Sequence, residues 1–210
     1  MGRLAQTLGV TNIIHSASQL EMQQQNFAQP NRLALRQWEE GDYAPFAKLC
    51  ADPEVMKFFI SSVLDQQTAN ERINKWSKLI AERGWGFWAV ELTENRRFLG
   101  FAGLQALDNT HPFGPCVEIG WRLARENWGR GYATEAATQV LRFAFDTLRL
   151  PEIIATTAIG NTRSSAVMER IGMNGPESVF RFLDVPKENP LGDHVLYRIT
   201  SKEWRARGDA

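Results

Sequence analysis

The residues best suited to chemistry lie in one stretch, 118–136, in which a short apolar strand leads into a Gly-x-Gly turn and then a helix. The glycines of this turn are Gly129 and Gly131, and residues without a Cβ let several backbone N–H groups converge on one point. The following helix adds the positive end of its dipole. This combination predicts a site for a phosphate or pyrophosphate group. The simpler alternative is that the two glycines only allow a tight turn from strand to helix.

The same stretch begins with a candidate proton acceptor. Glu118 lies in an otherwise apolar run, between Val117 and Ile119. Burial would raise the pKa of this carboxyl towards the range in which a general base works near neutral pH. The alternative is an ordinary ion pair with a neighbour such as Arg122.

Three further side chains are candidates for the same region. Cys116 lies two residues before Glu118 and shares its strand face, so an acyl-cysteine intermediate is conceivable. His194 and Tyr197 lie on a predicted strand near the C-terminus and could approach a substrate. A single His beside apolar residues is, however, more often a packed and hydrogen-bonded side chain.

The elements that must position these residues follow from hydrophobic periodicity. Strands are predicted at 32–36, 87–92, 98–107, 116–124, 152–159, 179–183 and 194–200. Helices are predicted from an N-cap at Asp42 to about 52, and at 66–83, 130–149 and 162–171, the last ending at Gly172. Because strands and helices alternate without a strict βαβ repeat, we expect an α/β (α+β) fold with one mixed, mostly antiparallel sheet and helices on both faces.

Length and composition exclude several classes of protein. The chain has 210 residues, which favours one domain, and we interpret 1–31 as a flexible leader, 32–205 as the domain and 206–210 as a tail. Its 24 Lys+Arg balance 24 Asp+Glu, so binding of nucleic acid or an anionic membrane by bulk charge is not expected. Two cysteines in unrelated contexts and three scattered histidines predict neither a disulfide framework nor a metal site. No membrane span is expected, and a reducing cytoplasm is the natural setting.

Four stretches in order resemble the GNAT N-acetyltransferase superfamily: 32–36 and 52–56 near the start, and two motifs further on. Its cofactor signature is Arg/Gln-x-x-Gly-x-Gly/Ala, and 128–133 (Trp-Gly-Arg-Gly-Tyr-Ala) fits every position except the first, where Trp128 replaces Arg or Gln. The second is Asn161-x-x-Ser164 followed by Gly172-Met173. The Trp-Gly-x-Gly-Tyr-Ala-Thr-Glu-Ala run is similar to the RimJ/RimL branch, which is named for ribosomal-protein N-terminal acetyltransferases. The likeness covers about 31–205.

The resemblance implies a cofactor and a site. Acetyl-CoA would lie between two splayed parallel strands, here 117–124 and 152–159, with a strand bulge around Leu123 whose N–H stabilises the oxyanion. The residues implied in cofactor binding are Trp121, Arg122, Leu123, Gly129, Arg130, Gly131, Tyr132, Ala133, Thr134 and Asn161, with help from Arg125, Arg130 or Arg163. Glu118 would be the general base, no metal is implied, and the enzyme would be a monomer or homodimer.

The resemblance leaves the acceptor and the general acid open. Many family members carry a Tyr four residues before the Gly of the second motif, where this chain has Met168, so Ser164 is the candidate acid. The acceptor is a primary amine of a protein N-terminus or a small molecule. Two rival interpretations remain: an acyl-CoA-binding sensor without catalysis, and an ATP-binding protein, which the absence of a Gly-Lys-Ser/Thr motif disfavours.

Overall fold

The computed structural model describes residues 32–61, 63–109, 111–182 and 185–208. Its seven strands are β1 Leu33–Arg36, β2 Phe87–Leu92, β3 Arg97–Leu107, β4 Cys116–Leu123, β5 Glu152–Ala158, β6 Asn174–Arg181 and β7 Asp193–Thr200. Its six α-helices are α1 Tyr43–Ala51, α2 Pro53–Met56, α3 Gln66–Arg83, α4 Tyr132–Arg142, α5 Thr162–Arg170 and α6 Ser201–Ala206. The predicted leader 1–31 and the last two residues of the predicted tail lie outside the described residues.

The strands form one mixed sheet in the order β1-β2-β3-β4-β5-β7-β6. Every neighbouring pair is antiparallel except β4 and β5, which are parallel. The predicted mixed sheet and its parallel pair are therefore confirmed. Within the described residues, β4 and β5 are paired only where Glu118 lies opposite Ile154. The strands diverge beyond this point, and that divergence creates the gap in which the site lies.

Helices cover both faces of the sheet, as the alternating pattern predicted. One core joins the buried face of α4 to β3, β4, β5 and β7, and its largest fully buried side chains include Phe145 and Trp204. The second core packs α1, α2 and α3 against Ala89 of β2 and Phe101 of β3. Because side chains alternate along a strand, Val117 and Ile119 of β4 face the first core, whereas Glu118 and Arg122 face the other side.

Asp42 does not cap α1 as predicted. It lies at the end of a short 3-10 turn, Glu40–Asp42, that leads directly into α1, and its side chain makes no capping bond to that helix. The Asp42 carboxylate instead binds two nitrogens of the Arg36 guanidinium at 2.6 and 2.8 Å. Arg36 also donates to Glu91 at 2.7 Å. The carboxylate is satisfied by this ion pair with a residue six positions earlier and by the Glu39 N–H, which donates to its Oδ2 at 2.8 Å.

The C-terminal part differs from the prediction in three places. The helix predicted over 130–149 is α4 to Arg142, followed by a π-helical segment, Phe143–Thr147, that leaves the apolar pattern unbroken. The strand predicted at 179–183 begins earlier, at Asn174, where Gly175 and Pro176 obscure the strand pattern. Helix α6 was not predicted, although Thr200 and Glu203 form the capping box that marks its start.

Candidate active site

A cavity of about 840 Å³ opens beside the gap between β4 and β5. Its walls come from the end of β4, the glycine turn, the first residues of α4 and α5, and the segment that follows α2. Ten of the twelve residues predicted for the site line it: Trp121, Arg122, Leu123, Gly129, Gly131, Tyr132, Ala133, Thr134, Asn161 and Ser164. The other two, Glu118 and Arg130, are not among its lining residues.

The glycine turn presents a helix terminus to this cavity. Gly129 and Gly131 have φ of +73° and +80°, in the left-handed region that side chains with a Cβ rarely adopt. Gly131 is the N-cap of α4, and no side chain caps this helix. The first backbone bond within α4 runs from Glu135 N–H to the Gly131 carbonyl. The N–H groups of the residues between them are therefore available at the positive end of the helix dipole.

The edge of β4 adds further N–H donors. Ala124 N–H donates to the Leu99 carbonyl of β3 at 2.9 Å, and N–H groups point to alternate sides along a strand. The N–H groups of Trp121 and Leu123 therefore point the other way, towards the gap beside β5. The bulge expected around Leu123 is absent, because β4 pairs with β3 in unbroken register from Cys116 to Leu123. The single pairing with β5, and not a bulge, frees this edge.

Trp128 bridges the strand edge and the cavity wall. Its indole N–H donates to the Leu123 carbonyl at 2.8 Å. The guanidinium of Arg163 lies over the Trp128 ring, 4.4 Å from the ring centre. Of the three cations that the sequence suggested as helpers, only Arg163 lines this cavity, and Arg170 of α5 lines it as well. Arg125 lines a separate cavity near β1 and α1.

Glu118 lies at the point where β4 and β5 are paired. Its Oε1 accepts a hydrogen bond from the Thr156 hydroxyl of β5 at 2.6 Å. Burial raises the pKa of Glu118, and the hydrogen bond from Thr156 opposes that rise in part. No described ion pair joins Glu118 to Arg122, which was the alternative expectation. Nothing in the sequence singled out Thr156 as a partner of Glu118, except that it is a polar residue in an apolar strand.

The second motif folds into a local hydrogen-bonded group at the start of α5. Asn161 caps this helix, its side-chain oxygen accepting from Ser164 N–H at 3.4 Å. Its amide nitrogen donates to Thr157 Oγ1 at 2.9 Å and to Ser164 Oγ at 3.0 Å. Asn161 thus ties β5 to α5 beside the cavity, and Ser164 lines it. Met168, at the position where many relatives have Tyr, is buried in the core.

The remaining candidates, His194, Tyr197 and Cys116, lie in environments that favour a structural role over a chemical one. His194 is buried against the rings of Phe180 and Phe182, and burial lowers its pKa. The Tyr197 hydroxyl donates to Glu169 at 3.4 Å. Neither residue lines the cavity. Burial, followed by the nearby charges of Glu118 and Glu152, raises the pKa of the Cys116 thiol to about 11, which disfavours the thiolate that a nucleophile requires.

The described part of the chain has neither a cluster of metal-ligating side chains nor a membrane-spanning helix. Among residues 32–208, leaving out the four that are not described, no three His, Cys, Asp or Glu side chains come together as a group that could hold a metal ion. In the same part of the chain, no helix has the length and apolar character needed to cross a membrane.

Comparison with known proteins agrees with this geometry. The model of the "Acetyltransferase (GNAT) domain" family matches residues 32–174. The FsC-acetyl coenzyme A-N(2)-transacetylase of Aspergillus fumigatus is 33% identical over 163 residues, covering 75% of this chain and 68% of the relative. The uncharacterized N-acetyltransferase YnaD of Bacillus subtilis is 31% identical over 173 residues, covering 82% and 96%. A GNAT-family acetyltransferase from Bacillus anthracis has a crystal structure with a TM-score of 0.70 at 28% identity, covering 83% of this chain and 98% of that one. The glycine turn, the splayed strands and the matched sequence together show that this chain belongs to the GNAT family of N-acetyltransferases.

Proposed function

We propose that this enzyme moves an acetyl group from acetyl-CoA to a primary amine by direct attack within a ternary complex. The observation that carries this proposal is the arrangement around β4. An uncapped helix terminus, two N–H groups pointing into the β4–β5 gap and a carboxylate with a raised pKa all belong to one continuous stretch of chain. Acetyl-CoA, when bound, supplies the activated acetyl group.

Each part of the cavity would hold a different part of the cofactor. The N–H groups of Tyr132, Ala133 and Thr134, with Gly129 and Gly131 giving close approach, suit the pyrophosphate. Arg163 and Arg170 line the same cavity and supply cationic charge. The outward N–H groups of Trp121 and Leu123 suit the amides of the pantetheine arm. In this proposal Arg130 acts through its backbone position in the turn, since its side chain does not line the cavity.

Glu118 is the proposed general base. An aliphatic amine is mostly protonated near neutral pH and must lose a proton before it can attack a thioester. The raised pKa of Glu118 suits this task, and a base can act directly or through one water molecule. The Leu123 N–H is the proposed donor to the developing oxyanion, a contribution of about 3 kcal/mol in other enzymes.

Ser164 is the proposed source of the proton for the departing thiolate. Its Oγ accepts a hydrogen bond from Asn161 at 3.0 Å, which leaves its own hydroxyl proton free to point into the cavity that it lines. Asn161 is a positioning residue in this proposal, because it holds Ser164 and the start of α5 against β5.

The proposed acceptor is a primary amine with an extended body, for which there are two supporting observations. The Trp-Gly-x-Gly-Tyr-Ala-Thr-Glu-Ala run supports a place in the branch similar to ribosomal-protein N-terminal acetyltransferases, and hence a peptide N-terminus. The relative from Aspergillus fumigatus bears a name that specifies acetyl transfer to an N(2) nitrogen. Both fit a primary amine with an extended body.

Release of free thiol from acetyl-CoA, followed across a panel of amines, tests this function. We expect turnover with at least one class among peptide N-termini, amino acids and polyamines. Calorimetric titration with acetyl-CoA runs in parallel, so that a protein that binds acetyl-CoA but turns over no amine is identified as a sensor. Binding of ATP in preference to acetyl-CoA would overturn both the acetyltransferase and the sensor interpretation.

Direct transfer predicts that the buried thiol is dispensable. Cys116→Ala should keep kcat within about threefold of the wild type, because no acyl-cysteine forms. The measurement is the steady-state rate, with intact mass of the wild-type enzyme after incubation with acetyl-CoA alone. A mass increase of one acetyl group, lost in Cys116→Ala together with activity, would contradict direct transfer.

A further inference from the structure

Arg122 is a buried cation that forms no ion pair with any carboxylate in the part of the chain that the structure describes. Its exposed fraction is 6%, and its Nε has no hydrogen-bond partner among the described residues. Its Nη1 lies 3.7 Å from the Cys50 sulfur, a weak contact. The guanidinium stacks on Phe59, 3.7 Å from the ring centre, and lies 5.4 Å from that of Phe101. A second cation, Arg72, also acts on it electrostatically.

This environment contrasts with that of Arg36, which lies on the same side of the sheet. Arg36 lies between two buried carboxylates, Asp42 and Glu91, which together raise its pKa. Burial without a carboxylate lowers the pKa of Arg122 to about 10. A buried charge is costly unless it is paired, so an arginine kept unpaired in a cavity wall indicates that its partner arrives with a ligand.

The face of the sheet on which Arg122 lies indicates which ligand supplies its anionic partner. Arg122 lines the cavity and shares its strand face with Glu118, the proposed base, since the two are four residues apart on β4. Helix α4, which carries the terminus proposed for the pyrophosphate, packs on the opposite face. The apolar ring of Phe59, which lines the cavity, lies on the Arg122 side.

Resting on the proposed function, we propose that Arg122 binds an anionic group of the acceptor, so that the substrate is an amine that also carries a carboxylate. A planar guanidinium suits bidentate recognition of a carboxylate, and its stacking on Phe59 fixes the plane. Bare polyamines, which bring only positive charge, have no group that could pair with this guanidinium.

Strand geometry also sets the length of the acceptor. Four residues along β4 separate the Glu118 and Arg122 Cα atoms by roughly 13 Å. The amine and carboxylate of a free α-amino acid are too close together to reach both side chains. The acceptor is therefore extended, with its carboxylate several bonds from its amine, as in an ω-amino acid or a short peptide.

The test compares acids with their uncharged carboxamides. The probes are 6-aminohexanoate, 8-aminooctanoate and triglycine, each beside its amide, and both kcat/KM and calorimetric binding to the CoA-loaded enzyme are measured. We expect the wild type to prefer acid over amide by tenfold or more, and Arg122→Met to reduce that ratio to near one. Whether the ω-amino acids or the tripeptide show the larger preference distinguishes a small molecule from a peptide.

Arg163→Met is the matched control. It removes a cation from the same cavity but from the α5 side, so it should weaken acetyl-CoA binding and keep the preference for acid over amide. Equal binding of acid and amide to the wild type would overturn the proposal even if Arg122→Met failed to fold. Turnover of amines without any acid preference would leave the acetyltransferase function intact and reject only this role of Arg122. If no probe is turned over, the calorimetric comparison of acid and amide binding decides whether Arg122 binds a carboxylate.

Discussion

Glu118→Gln is expected to lower kcat by about 10²–10⁴-fold, the range typical of losing a general base, with little change in acetyl-CoA affinity. The substitution keeps the shape of the side chain and can still accept the hydrogen bond from Thr156, but it cannot take a proton from the amine. The measurements are steady-state kcat for a reactive amine and calorimetric affinity for acetyl-CoA. An unchanged kcat would remove Glu118 from the mechanism.

The pH dependence of the reaction provides the matched control. A base acts when ionised, so the rate of the wild type should rise with pH through the raised pKa of Glu118. Thr156→Val removes a hydrogen bond that lowers this pKa, and it should therefore move the rising limb to higher pH while keeping the plateau rate. The limb should be absent in Glu118→Gln. A Thr156→Val profile displaced to lower pH would contradict this assignment.

Gly131→Val is expected to lower kcat/KM for acetyl-CoA by about 100-fold, mainly through KM, because a displacement of 1 Å is enough for such a loss. At φ +80° a β-branched residue is strained, and the free energy of unfolding should fall by about 1–3 kcal/mol. A Cβ at this position meets only the end of the Arg32 side chain, at 3.7 Å. The damage should therefore come from a reoriented backbone at the start of α4, measured as a larger loss in KM than in kcat.

Two other glycines separate strain from function. Gly208 has φ +74° with open space around a built Cβ, so Gly208→Val imposes the same kind of strain at the end of the described chain. Gly41 has open space and an ordinary φ. Gly208→Val should keep the acetyl-CoA KM, and Gly41→Val should in addition keep the stability. Equal KM values for Gly131→Val and Gly208→Val would show that the turn does not hold the cofactor.

The edge and one face of β4 have separate tasks in the proposed reaction. Its edge beside β5 offers the N–H groups of Trp121 and Leu123 to the cofactor, and this edge is open because the two strands pair only at Glu118 and Ile154. Its face towards α1–α3 carries Glu118 and Arg122, proposed for the amine and for the anionic group of the acceptor. One strand can thus present both substrates to each other across its own backbone.

The sequence by itself determined the features that local chain geometry controls. The glycine turn, the amphipathic α4 and the cap of Asn161 on α5 involve residues close together in the chain, so their spacing is enough to predict them. The same holds for the hairpin of β2 and β3, whose strands were predicted nearly to their ends. The GNAT family was likewise readable from four ordered sequence matches.

Only the tertiary structure decided what surrounds the chemical groups. Thr156 lies 38 positions from Glu118 in the chain, and Cys50 lies 72 positions from Arg122. Asp42 does not cap α1 but, with Glu91 from β2, binds Arg36, and Arg122 forms no ion pair with any described carboxylate. Such contacts depend on how distant segments pack, and hydrophobic periodicity specifies which face of an element is buried but not which side chain it meets. For that reason the sequence could indicate the cofactor, whereas the inference about the acceptor required the packed cavity wall.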